Sequence, residues 1–208
     1  MLEFAVSVIE RIGVLGAGLL IALETVIAPL PSEVVLLLTG VNVSEGNFSF
    51  LGALLITTTG SLVGASLLYA AGYFLSAERL EVLIARYGKF LGITVGDLRK
   101  TLSWFERYGS PVVLFGRLIP IVRSLVSIPA GLVQMNFAQF LALTAVGSGI
   151  WNSIWISLGF TLGENWQIAE RYSSILDYIA YAALGAALIY WLVRFVRRQR
   201  ASREPLDR

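Results

Sequence analysis

The 208-residue sequence contains neither cysteine nor histidine. Without cysteine the chain has no disulfide framework and no thiol nucleophile, and without histidine it lacks the commonest metal ligand and the usual proton relay at neutral pH. Charged residues are scarce at 14%, whereas 56% of the residues are apolar, more than an ordinary water-soluble domain contains. We therefore expect an integral membrane protein that has no metal or other cofactor, binds no nucleic acid, and relies on carboxylates and cations for its chemistry.

Five apolar segments make up most of the chain. Their residue ranges are 4–41, 50–75, 111–133, 137–160 and 175–196. A transmembrane helix needs roughly 20 mainly apolar residues, and the second, fourth and fifth segments reach this length without a proline. These three segments are predicted to be transmembrane helices of a single all-α membrane domain that spans residues 1–208.

The other two apolar segments are interrupted by proline, which removes a backbone donor and disfavours helix in the residue before it. A membrane tolerates broken helices where the freed backbone groups are buried in protein or face water. We therefore expect one re-entrant hairpin in region 12–41 and another in region 111–133. The residues assigned to the hairpin tips are Pro29, Pro31, Ser32, Pro120, Pro129 and Gly131.

Basic residues lie in two blocks that set the expected orientation. One is the polar region 76–110, predicted to form amphipathic helices, and the other is the tail 197–208. The positive-inside rule places both in the cytoplasm, so the chain would be a multi-pass protein of the inner or plasma membrane with a cytoplasmic C-terminus. The first hairpin then enters from outside and the second from the cytoplasm, although the two halves share little residue-level similarity. This plan is the inverted repeat of many secondary transporters, whose binding site lies at the repeat interface.

Four charged residues fall within the two expected hairpin regions, 12–41 and 111–133. Glu24 and Glu33 belong to the first segment, and Arg117 and Arg123 belong to the second. An unpaired charge at mid-membrane costs from a few to more than about ten kcal/mol, so these side chains must be paired, hydrated or liganded. We expect the hairpin tips to meet near the midplane, either as a substrate site or as a fixed salt-bridge cluster. Two guanidinium groups favour an anion such as phosphate or carboxylate.

Glu24 and Glu33 are the candidates for proton coupling or ion pairing. A surrounding of low dielectric constant favours the neutral form of a carboxyl group, so either residue could take up and release a proton. If Arg117 permanently neutralised Glu33, the proton role would pass to Glu24 or vanish.

Two glycines in the 50–75 segment indicate helix packing. Gly60 and Gly64 lie about one helical turn apart, a spacing of small residues that permits close approach of a second helix. We assign them to packing and not to a ligand site.

The most specific sequence block is Phe115-Gly116-Arg117-x-x-Pro120-x-x-Arg123 with Pro129-Ala130-Gly131. The other blocks are Glu24 with Pro29-Leu30-Pro31-Ser32-Glu33-Val34, Gly60-x-x-x-Gly64 with Tyr69 and Gly72, and Met135-x-Phe137-x-x-Phe140 with Gly149-x-Trp151 and Leu158-Gly159. In these blocks the chain resembles the DedA family, also called the VTT or SNARE-associated Golgi protein family. Many relatives carry Gly-Asp or Gly-Glu where this chain has Ser32-Glu33.

That resemblance implies two re-entrant hairpins in inverted repeat and a role in moving lipids across the membrane. It assigns the family's membrane-embedded acidic and arginine residues to Glu24, Glu33, Arg117 and Arg123. Bacterial members include translocases that return undecaprenyl phosphate to the cytoplasmic face, while other members handle phosphatidylethanolamine or act as scramblases.

The leading hypothesis is a flippase of undecaprenyl phosphate or a related anionic lipid. Arg117 and Arg123 would bind the phosphate, and Glu24 or Glu33 would link transport to protons. No bond is broken in such a process, so the chain is not expected to be an enzyme. The alternatives are a proton- or cation-coupled transporter of small solutes, a phospholipid scramblase, for example of phosphatidylethanolamine, and a structural or assembly factor. The expected partners are a membrane lipid and protons, and the sequence leaves homo-oligomerisation open.

Overall fold

The computed structural model describes residues 2–26, 32–91, 94–120 and 122–163, and all of them lie in helices or in the connections between helices. The prediction of an all-α chain is confirmed for this part of the chain. In chain order the described helices are α1 (Leu2–Ile12), α2 (Val14–Val26), α3 (Ser32–Ser44), α4 (Phe50–Leu75), α5 (Ala77–Leu91), α6 (Val95–Gly116), α7 (Val122–Leu125), α8 (Ser127–Leu132) and α9 (Phe137–Leu162). The predicted helix 175–196, the tail 197–208, Pro29 and Pro31 lie outside the described residues.

The two longest helices, α4 and α9, contain 26 residues each. By length and composition both could cross a membrane. Helix α4 has the predicted bounds, and α9 ends two residues beyond the predicted residue 160. Each helix begins at a side-chain cap, because Ser49 accepts a hydrogen bond from the Gly52 N–H at 3.1 Å and Asn136 accepts one from the Gln139 N–H at 3.0 Å.

The first broken segment forms α2 and α3, which flank residues 27–31. Helix α1 is separate from α2, because the chain turns at Gly13 with a φ of +70°, a conformation that glycine adopts without steric penalty. Residues 2–12 therefore form a helix of their own.

The second broken segment differs from the sequence expectation at its start. Helix α6 continues through Pro111 to Gly116, whereas the sequence suggested a new segment from residue 111. Proline at this position removes the hydrogen bond to the Arg107 carbonyl, but both residues are exposed, so this carbonyl can bond outside the protein. The chain breaks after Gly116 and resumes in α7 and α8. The polar region 76–110 forms α5 and the greater part of α6.

Each broken segment packs on both long helices. Helix α2 packs on α4 and α3 on α9, whereas α6 packs on α9 and α8 on α4. Glycines make the first of these contacts close, because a Cβ added at Gly60 would overlap the backbone of Gly18, and one added at Gly64 would overlap the side chain of Thr25.

The contacts of α3 and α8 correspond to each other. A Cβ added at Gly40 in α3 would overlap the Ile156 carbonyl in α9, and one added at Gly131 in α8 would overlap the Tyr69 carbonyl in α4. One helical turn away, Gly159 lies against Leu37, and Gly72 lies against Ile128. The second arm of each broken segment thus rests, through glycines, on the long helix of the other half.

Helices α4 and α9 also share more sequence than their hydropathy suggests. When they are aligned at their first residues, eight positions are identical, namely Phe50/Phe137, Leu54/Leu141, Thr57/Thr144, Gly60/Gly147, Ser61/Ser148, Ser66/Ser153, Gly72/Gly159 and Leu75/Leu162. The expectation of little residue-level similarity is wrong for these two helices. The similarity becomes evident once the helix bounds provide the alignment.

Candidate functional site

All four charged residues of the regions 12–41 and 111–133 are buried. The exposed fractions are 3% for Arg117, 7% for Arg123, 8% for Glu33 and 9% for Glu24. Glu24 lies near the end of α2 and Glu33 in the first turn of α3, whereas Arg117 follows α6 and Arg123 lies in α7. Burying a charge without a partner is strongly unfavourable, so the contacts of these side chains determine what the site can do.

Arg123 and Glu24 form a buried ion pair. The Arg123 Nη2 atom donates to the Glu24 Oε2 atom at 2.5 Å. The guanidinium carbon of Arg123 also lies 6.0 Å from the ring centroid of Trp151, a distance suited to a cation–π contact. Helix α9 and the two broken segments therefore meet at Arg123.

Arg117 contacts neutral groups only, within the part of the chain that the structure describes. Its Nη1 atom donates to the Arg123 carbonyl oxygen at 2.5 Å, and its Nη2 atom donates to the Ser127 and Thr144 hydroxyls at 2.8 and 3.2 Å. Its guanidinium carbon lies 5.5 Å from the ring centroid of Phe140. The Nε atom is buried and has no hydrogen-bond partner among the described residues.

The charge of Arg117 is consequently not neutralised by any described carboxylate. Neutralisation of Glu33 by Arg117, which the sequence raised as a condition, does not occur among the described residues. Arg117 carries a permanent charge and retains an unused donor, which are the properties of a binding group for an anion.

A small cavity lies beside the two arginines. Its lining residues are Thr25, Ser61, Arg117, Arg123, Ser124 and Ser148. The volume is about 10 Å³, roughly the space of one water molecule. A cavity of this size is too small for a phosphate group, and we refer to this conformation as closed.

The hydroxyl groups around the arginines were missed from the sequence. Serine and threonine in apolar helices usually bond their own backbone, as Thr25 does to the Ile21 carbonyl at 2.8 Å, so their presence alone indicates no site. A usable pattern exists in α9, where Thr144, Ser148 and Asn152 lie four residues apart and therefore share one helix face. All three are buried.

The residues assigned to hairpin tips have different structural positions. Pro120 lies in the turn between α6 and α7, but Pro129 lies in the first turn of α8, where a helix tolerates proline. Gly131 is a packing residue against Tyr69. Ser32 is the first residue of α3, is 1% exposed, and its hydroxyl has no partner among the described residues.

The VTT domain family model matches residues 30–161. An "Alkaline phosphatase-like protein" of Lactococcus lactis subsp. cremoris is 38% identical over 204 residues, which cover 96% of this chain and 94% of that protein. "Undecaprenyl phosphate transporter A" of Staphylococcus aureus is 32% identical over 200 residues, covering 96% of this chain and 98% of that protein. "Protein DedA" of Escherichia coli is 22% identical over 176 residues, covering 71% and 78% respectively. No solved structure matches the chain.

Proposed function

Because the chain belongs to the VTT domain family, the family of DedA membrane proteins, we propose that it is a flippase of an anionic polyprenyl lipid, with undecaprenyl phosphate as substrate. The observation that carries the proposal is the environment of Arg117, a buried permanent cation with neutral partners and an unused donor beside a cavity. A relative named as a transporter of this lipid covers 96% of the chain, which supports the same substrate.

In the proposed membrane arrangement the two broken segments are re-entrant hairpins in an inverted repeat. Two observations support a repeat. The long helices α4 and α9 have equal length and eight identical positions, and the arms of each hairpin divide their contacts between these helices in the same way. The hairpin in region 12–41 would enter from outside and that in region 111–133 from the cytoplasm. The region 76–110 and the tail 197–208 would be cytoplasmic, with residues 175–196 as a further span.

Binding of the phosphate requires an exchange of partners at Arg123. In the closed conformation the Glu24 carboxylate is paired with Arg123. An incoming phosphate would displace this carboxylate from Arg123 while Arg117 binds the same headgroup. A carboxylate that loses its cation in a surrounding of low dielectric constant takes up a proton. Glu24 would thereby link the movement of the headgroup to a proton.

This process transfers no atoms, so the proposal is a transporter and not an enzyme. The name of the Lactococcus relative suggests phosphatase chemistry for that protein. In this chain the sequence has neither histidine nor cysteine, and the groups around the cavity are guanidiniums and hydroxyls. This donor set suits binding of a phosphate.

The test is transport by the purified protein in proteoliposomes that contain undecaprenyl phosphate, with a leaflet-specific probe of the phosphate and an imposed pH gradient. We expect movement of the lipid that Arg117→Gln abolishes. The matched control is Arg99→Gln, which removes an exposed arginine at the start of α6. Failure of the wild-type protein to move undecaprenyl phosphate with either direction of the gradient contradicts the proposal. Equal movement of phosphatidylethanolamine without a gradient would identify a scramblase, and uptake of a water-soluble phosphate would identify a solute transporter.

A further inference from the structure

The two long helices present the same pair of hydroxyl residues at equivalent positions. Thr57 and Ser61 lie one turn apart in α4, and Thr144 and Ser148 lie one turn apart in α9. Their burial matches as well, because both threonines are fully buried and both serines are 5% exposed.

The two serines of these pairs line the same cavity. Ser61 reaches it from α4 and Ser148 from α9, and Arg117 and Arg123 complete the lining with two further hydroxyl residues. If the helices belong to an inverted repeat, equivalent residues that meet in one cavity place that cavity on the axis relating the halves. A ligand there would be held by one serine from each half in both orientations of the transporter.

The next pair of equivalent serines shows that only some of the shared serines lie at the cavity. Ser66 and Ser153 are also equivalent in the alignment of α4 and α9, but neither lines the cavity. Ser61 donates to its own helix, to the Thr57 carbonyl at 3.2 Å, so its hydroxyl must rotate to reach a ligand, and its place in the cavity wall is what distinguishes it. Ser66 donates to the Leu62 carbonyl at 2.7 Å, and Ser153 donates to the Ile150 carbonyl at 2.8 Å. They are therefore matched controls of identical type on the same two helices.

Asn152 fixes the serine-bearing face of α4 against α9. Asn152 is fully buried, and in the amide orientation that satisfies both of its polar atoms it donates to the Ser148 carbonyl at 3.2 Å and accepts from the Thr58 N–H in α4 at 3.3 Å. The amide also lies within 3.5 Å of the Thr57 and Ser61 hydroxyls. The equivalent position in α4 is Ala65, which offers no such group. The contact keeps the Ser61 hydroxyl next to α9 and so next to the cavity.

We propose that Ser61 and Ser148 are headgroup ligands that select a phosphate monoester. A terminal phosphate has three non-ester oxygens, so it can accept hydrogen bonds from two serines on opposite helices and still face the Arg117 guanidinium. A diester headgroup has only two such oxygens, and its second substituent would have to occupy the side that one of the serines closes. This assignment rests on the proposed function and names two specificity-determining residues for it.

The experiment measures transport in proteoliposomes as the membrane fraction of undecaprenyl phosphate is varied. Ser61→Ala and Ser148→Ala are each expected to raise the lipid fraction that gives half-maximal rate about tenfold, as expected for loss of a hydrogen bond to a charged group. They should also reduce the preference for this monoester over phosphatidylglycerol, a diester. Ser66→Ala and Ser153→Ala should leave both quantities unchanged. Ser61→Thr should keep both close to the wild-type values because it retains a hydroxyl.

The outcomes separate this assignment from the proposed function. A wild-type protein that moves no undecaprenyl phosphate overturns both. A wild-type protein that moves it, together with alanine variants that behave as their controls, overturns only the assignment of the serines. If an alanine variant unfolds more easily, the second measurement is the rise in its unfolding temperature on addition of undecaprenyl phosphate. A smaller rise than that of the wild type supports the assignment of the serines, and an equal rise overturns it.

Discussion

Substituting Glu24 by Gln should destabilise the protein more than substituting both members of its ion pair. The variant leaves the Arg123 charge buried without its carboxylate, at a site where Nη2 and Oε2 are 2.5 Å apart and both residues are buried. Unit charges about 4 Å apart interact with roughly 4 kcal/mol at an effective dielectric constant of about 20. Breaking a buried pair from one side typically costs about 3–5 kcal/mol. We therefore expect Glu24→Gln and Arg123→Gln each to lower the free energy of unfolding by about that amount.

The double variant Glu24→Gln with Arg123→Gln removes both charges, so its free energy of unfolding should fall by less than that of either single variant. The assay is reversible unfolding in mixed micelles, followed by helix content, for the wild type, both single variants and the double variant. A double variant that loses the sum of the two single effects would refute the reasoning, because additivity means that the two residues do not interact.

A charge-reversed pair tests whether this ion pair serves transport. Glu24→Arg with Arg123→Glu restores attraction between the same two positions, so stability should recover in part. Transport should not recover, because a carboxylate at position 123 repels a phosphate. Recovery of both would indicate a fixed salt bridge, as expected of a structural or assembly factor.

Three further predictions concern other parts of the fold. A Cβ at Gly147 would lie 2.7 Å from the Arg117 Cβ atom and 2.8 Å from the Leu114 carbonyl oxygen, whereas one at Gly149 meets nothing within 4 Å. In the same unfolding assay, Gly147→Ala should therefore lose about 1–3 kcal/mol of stability, and Gly149→Ala should gain up to about 1 kcal/mol. Asn152→Leu should lower the free energy of unfolding by about 1–3 kcal/mol and speed amide hydrogen exchange in α4. Unchanged exchange would contradict the role of Asn152 as a link between the long helices. Arg99 donates to both oxygens of Glu81 at 2.8 and 2.7 Å and holds the pKa of that carboxyl below its usual range. The contact between α5 and α6 should therefore persist at mildly acidic pH and loosen only as the pH falls through the lowered pKa. Glu81→Gln should remove this acid transition from the hydrogen exchange of α5.

Much of the fold could be predicted from the sequence because apolar runs and prolines are strong local determinants. The bounds of α4 follow from an uninterrupted apolar run, and the break after Gly116 follows from the chain around Pro120. Pro111 did not break its helix, because an exposed carbonyl can find another partner. That difference depends on which face of α6 is exposed, and residue spacing alone does not give it.

The pairing within the site could not be predicted. The sequence identified four buried charges but not that Arg123 binds Glu24 while Arg117 binds a carbonyl and two hydroxyls. The partner of each guanidinium depends on how far each broken segment is displaced along the long helices. The glycine contacts, such as that between Gly131 and Tyr69, set this displacement, and they link residues far apart in the chain.

The crossed packing of the second arms limits how the closed cavity can open. Helix α3 lies on α9 and α8 lies on α4, each through glycines that let the backbones touch. If the halves swung apart like the covers of a book, both backbone contacts would be lost at once. A slide of α3 along α9 together with α8 along α4 that is small compared with one helical turn leaves each glycine against the partner backbone and keeps both contacts. For the proposed flippase we therefore expect opening by a shear motion, in which small coupled displacements of the two second arms widen the cavity.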